Sequence, residues 1–192
     1  MGNKGLIFEE TFRNLREKPK IWRLLIISLA LIIITSLPML FTNNDLPDDE
    51  KYFAIVALII LLSISIPITM AFIFAITLAV ARIMNSTVSK RAIFAGNLLT
   101  SIITSIPKMI GLIILAIMGL DIEEISLTSL NVFSPGNPWL SLIDLQFVLG
   151  FYVVFIFFYA TCKFTKKSAM AWSAAATVMS MLSIFFGHLA TF

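Results

Sequence analysis

Five long apolar stretches divide the chain, and short polar links separate them. They cover residues 22–41, 52–84, 92–119, 140–162 and about 168–189. A helix needs roughly 20 consecutive apolar residues to cross the hydrocarbon core of a bilayer. The pattern therefore predicts an all-α integral membrane protein, a bundle of five transmembrane helices. Residues 1–20 read as a cytoplasmic or interfacial N-terminal segment, and 21–192 as the membrane domain.

Finer patterning lies inside these blocks. Phe8, Phe12 and Leu15 share one helical face, with Glu9, Arg13, Arg16 and Glu17 largely off it. That spacing fits a short helix lying on the membrane surface, with a loosely ordered tail as the alternative. Pro19 ends the segment because proline cannot continue the hydrogen-bond ladder. The stretch 52–84 exceeds what a bilayer requires and would be roughly 50 Å long as a helix. No charge or turn former divides it, so it reads as one helix with a kink at Pro67. The links 42–51 and 120–139 are acidic and rich in turn formers, the second ending in the run Pro135-Gly136-Asn137-Pro138.

The stretch 92–119 carries a line of polar side chains. Asn97, Ser101, Thr104 and Lys108 recur every three or four residues and so share a helical face, which Gly111 continues. Lys108 falls near the middle of the span, directly after Pro107. A cation at that depth is costly and usually faces protein or a water cavity. Asp144, in the first turns of the next stretch, is the partner to expect. The open readings are an ion pair with Asp144, a transport or ligand role, and a lysine that snorkels to the interface without function. Ser65, Thr69 and Thr77 form a weaker line in the second stretch. The fourth stretch is dense in aromatics. The fifth presents Ala169, Ser173, Ala176, Ser180, Ser183 and Gly187 on one smooth face, a pattern that lets membrane helices approach closely.

Composition supports the membrane reading. The chain has 192 residues, 59% hydrophobic and 13% charged, with a mean hydropathy of +0.97. The net charge of +3 implies no nucleic-acid partner, because its distribution has a simpler cause. Twelve of the fourteen Lys and Arg residues fall before or at the start of the first stretch, between the second and third or at the end of the second, and between the fourth and fifth. Lys51 stands alone on the other side with eight of the eleven carboxylates, and Lys108 lies within the membrane. Cations concentrate on the cytoplasmic side, so the N-terminus is expected inside and the C-terminus outside.

Catalytic chemistry finds little to work with. No phosphate loop, HExxH, GxSxG or paired-cysteine spacing occurs. One Cys, Cys162, and one His, His188, leave neither a disulfide framework nor a metal set. No enzyme activity and no cofactor is expected. Cys162, at the cytoplasmic end of the fourth stretch, is either an acylation site or an inert small residue.

Three blocks carry a family resemblance. FEETFRNLREKPKIW at residues 8–22, PKMIG at 107–111, and the hairpin from Leu140 with Asp144, Phe147 and Gly150 resemble bacterial Yip-type (Ypt-interacting-protein domain) membrane proteins, among them YknW-like chains. The resemblance implies five spans and no catalysis. It also implies a non-enzymatic scaffold or assembly factor of the cell membrane, accessory to a MacAB-like ABC exporter and to protection against secreted toxic peptides. The DLYGP-like motif of eukaryotic relatives is absent, so GTPase binding is not implied. The expected partners are the lipid bilayer, ABC exporter components and a second copy of the chain in a homo-oligomer. The competing reading is a small transporter or channel-like subunit with a polar cavity around Lys108.

Overall fold

The computed structural model describes residues 5–36, 48–118, 127–134, 140 and 143–189. Among these residues the protein is built from helices, with one isolated bridge between Ser129 and Asp144 in place of a sheet. Most of the expected turns at 42–51 and 120–139, including the Pro135–Pro138 run, lie outside the described residues.

The amphipathic N-terminal segment forms helix α1 (Glu9–Glu17). Glu9 and Glu10 occupy its first turn and Arg16 its last, each sign complementing the helix dipole. The Glu9 carboxylate accepts from the Leu6 N–H at 3.1 Å and pairs with Arg13 one turn on. The apolar face expected to rest on the membrane instead meets protein. Phe12 is fully buried and Leu15 nearly so, while Phe8 stays exposed.

After Pro19 the chain enters α2 (Ile21–Ser36). Helix α3 (Asp48–Ile83) is the single long helix the sequence predicts, with Pro67 inside it. Helix α4 (Lys90–Met118) follows a tight link in which Asn85 is left-handed at φ 52°. A short 3-10 turn, Leu130–Phe133, precedes α5 (Leu145–Ile156). This helix starts later than the apolar run predicts, because Asp144 is extended and caps it, accepting from the Gln146 N–H at 2.7 Å. The helix then widens into a π turn, Phe157–Thr161. Lys163, at φ 60°, turns the chain into α6 (Lys166–Leu189), where Thr165 Oγ1 accepts from the Ser168 N–H at 3.2 Å.

Helices thus occupy each of the five predicted positions. Two regions, Ile59–Ile83 of α3 and α4, are long and apolar enough to cross a membrane, with mean hydropathies of 2.6 and 2.0. Ile21–Thr35 and Leu145–Thr161 are shorter apolar helices.

Helix α4 is the central element and packs against α1, α2, α3 and α5. The tightest packing is confined to one end. It joins Phe12 and Leu15 of α1, Val80 and Ala81 of α3, Ile93 and Leu99 of α4, the π turn, Phe164 and Ala169. This is the end that carries the basic links. Away from it, α3 turns Ile60, Leu61, Ile64, Ile68 and Phe72 outward. Such exposure suits lipid, which is as apolar as leucine and gives helices no hydrophobic reason to close up.

Candidate functional site

The polar line of α4 does not converge on one point. Asn97, half-buried, donates from Nδ2 to Thr77 Oγ1 of α3 at 3.3 Å, and the Thr77 hydroxyl donates in turn to the Ile73 carbonyl at 2.7 Å. Ser101 faces α2, where the fully buried Ser28 hydroxyl lies 3.5 Å away. Thr104 donates to backbone carbonyls of its own helix, Thr100 at 3.0 Å and Ser101 at 3.1 Å. Lys108 is exposed. The first two members of the line therefore join helices, the third is satisfied locally, and the lysine points away from the bundle.

The expected pair of Lys108 with Asp144 is not formed. Among the described residues the one ion pair is Arg13 with Glu9. Asp144 is engaged as the α5 cap, a role that ties its carboxylate to a backbone amide on its own helix.

The small-residue face of α6 divides in the same way. Ala169 and Ser173 are fully buried, and the Ser173 hydroxyl folds back on the Ala169 carbonyl at 2.9 Å, keeping the surface smooth. Ala176, Ser180 and Ser183 are exposed. The surroundings of Gly187 and His188 lie outside those described.

Sequence reasoning missed the densest constellation, which is built around the π turn. A π turn displaces the usual helical hydrogen bonds and leaves carbonyls for other partners. Two side chains reach this stretch from elsewhere and one reaches out from it. Arg16 donates to the Ala160 carbonyl at 3.0 Å, Ser86 to the Cys162 carbonyl at 2.8 Å, and Thr161 donates back to the Phe12 carbonyl at 3.1 Å. Phe157 lies between Phe12, at a ring separation of 6.1 Å, and α4. Gly96 makes that approach possible, since a Cβ there would overlap the Phe157 ring. Phe158 stacks on Phe164 at 5.2 Å, and the Tyr152 hydroxyl reaches the Ile7 carbonyl at 3.1 Å. A glycine in an apolar run next to a basic link was the available signal. Cys162 is fully buried within this cluster, so its thiol does not face a modifying enzyme.

Two cavities open beside the cluster. One, of about 620 Å³, lies between α1 and α2. The other, of about 300 Å³, lies between α1 and the α5–α6 link. Neither is lined by Asn97, Ser101, Thr104 or Lys108. Among the described residues no three His, Cys, Asp or Glu side chains gather as a metal would require.

Comparison with known proteins places residues 4–187, nearly the whole chain, in a match to the Yip1 domain. No curated protein and no solved structure matches the chain.

Proposed function

The chain belongs to the Yip1 domain family of membrane proteins, and on that premise we propose that it is a non-enzymatic scaffold or assembly factor of the cell membrane. It crosses the bilayer five times, with the N-terminus in the cytoplasm and the C-terminus outside. The charge asymmetry supports this topology, since twelve cations sit on the segments and helix ends assigned to the cytoplasmic side and Lys51 alone on the other side. The observation that carries the scaffold reading is the use made of the polar side chains of α4. Asn97 and Ser101 join α4 to α3 and α2 instead of bordering a water-filled path. A transporter reading gains no comparable support, because Lys108 turns outward without a carboxylate partner among the described residues.

The partner we propose is an ABC exporter of the MacAB-like type, on the strength of the sequence resemblance, with protection against secreted toxic peptides as the outcome. A second copy of the chain is a further candidate, and the exposed Ala176, Ser180 and Ser183 offer it a smooth surface. The test is purification of the tagged chain in mild detergent, together with native gels of the exporter from cells lacking it. Exporter subunits should copurify, and the exporter complex should diminish in the deletion strain. A chain that purifies alone, with exporter assembly intact in its absence, removes the proposal.

A further inference from the structure

The groove between α1 and α2 has the chemistry of a binding site for one particular kind of lipid. Helix α1 lies across the basic end of the bundle, and Pro19 turns the chain into α2. The groove left at that corner measures about 620 Å³, within the ~300–1,000 Å³ range of small-molecule sites. Its rim carries Lys18, Lys20 and Arg23 against a single carboxylate, Glu17. Among the described residues none of these three cations has an ion-pair partner. Its apolar lining is made by the buried Leu15 and Leu99 and by the exposed Ile27.

The smaller cavity offers an informative contrast. It too is rimmed by cations, Arg13, Arg16 and Lys163. There, however, Arg13 pairs with Glu9 and Arg16 holds the Ala160 carbonyl. Its arginines already serve the fold, whereas the cations of the larger groove remain available. A rim of free cations over an apolar lining fits a ligand with an anionic head and a hydrocarbon tail. In the proposed topology this corner lies at the level of the inner-leaflet headgroups, beside the exposed Trp22, a residue type enriched at that depth.

We infer that the α1–α2 groove binds an anionic phospholipid of the inner leaflet, with its phosphodiester between Lys18, Lys20 and Arg23 and an acyl chain along Leu15, Ile27 and Leu99. This inference rests on the membrane topology and not on the exporter partnership, so the two fail independently. A site of this kind would fasten α1 to the membrane surface while its other face stays on the π turn.

The experiment is native mass spectrometry of the full-length chain in mild detergent, with phosphatidylglycerol or phosphatidylcholine of matched acyl chains added. Juxtamembrane basic residues contribute about fivefold each toward anionic lipid. The wild-type chain should therefore retain phosphatidylglycerol at a concentration at least about tenfold below that needed for phosphatidylcholine. Joint replacement Lys18→Gln, Lys20→Gln and Arg23→Gln should erase the preference, and Lys166→Gln with Lys167→Gln should leave it. Excess inorganic phosphate or glycerol phosphate should not displace the lipid. Equal retention of the two lipids by the wild-type chain overturns the inference, and this arm requires no variant to fold. Displacement by inorganic phosphate overturns it as well, in favour of a free-phosphate site.

Discussion

The two ends of the bundle are built differently. At the basic end, Phe12, Ile93, Val153, Ile156 and Cys162 are essentially removed from solvent, and side chains from α1, the α3–α4 link and the π turn hold backbone carbonyls of other elements. Toward the other end, α3 exposes Ile60, Ile64 and Ile68, α4 exposes Ile110, Ile113 and Ile117, and α6 exposes Met179 and Leu182. A bilayer explains the contrast. Helix ends and links near the aqueous boundary must satisfy polar backbone groups and gain from burying aromatic rings. Helix sides within the hydrocarbon are solvated by lipid and can remain apart. The basic end is thus the tightly packed unit of the fold, and the outer helix sides are the surfaces open to lipid or to another protein.

Substitutions placed at the two ends should separate these roles. The largest loss is expected from Phe12→Ala, which empties a fully buried ring site facing Phe157. It should cost ~3 kcal/mol, in the range for buried phenylalanine, and should free α1 to limited proteolysis. The same change at Phe72, which is 63% exposed, should move stability in detergent by less than ~0.5 kcal/mol.

Gly96→Leu ranks next. Its side chain would drive into the Phe157 ring, and overpacking of this kind costs about 1–3 kcal/mol. Gly150→Leu provides the comparison, because a Cβ there meets nothing within 4 Å. Thermal unfolding of both variants in one detergent should show a clear drop for the first and near-wild-type behaviour for the second. Arg16→Gln should cost about 1–2 kcal/mol by releasing the Ala160 carbonyl. Here too the readout is the unfolding midpoint, and an unchanged midpoint would mean the π turn does not depend on this contact. The smallest effect belongs to Lys108→Met, below ~0.5 kcal/mol for an exposed side chain.

Much of the fold was legible because hydropathy is written residue by residue. The five helix positions, the undivided α3 and the amphipathic character of α1 all follow from local pattern. The partner of the α1 face was not legible. Phe12 and Leu15 specify an apolar face, and only the folded chain places Phe157 opposite it. The π turn escaped for the same reason, since its bonds with Arg16 and Ser86 join residues far apart in sequence. Periodicity puts Asn97, Ser101, Thr104 and Lys108 along one line of a helix. It carried no information about how far neighbouring helices cover that face, and so could not tell that Asn97 meets Thr77 while Lys108 meets no carboxylate among the described residues. Asp144 read as the partner of Lys108, and it caps α5 instead because the α5 amides lie directly beside it.

A single comparison decides between a scaffold organised at the basic end and a pathway organised around Lys108. It is the amount of the assembled ABC exporter proposed as its partner in cells producing Phe12→Ala or Lys108→Met at equal abundance. A scaffold should lose most of its effect with Phe12→Ala and retain it with Lys108→Met. Loss with Lys108→Met and full retention with Phe12→Ala would contradict it.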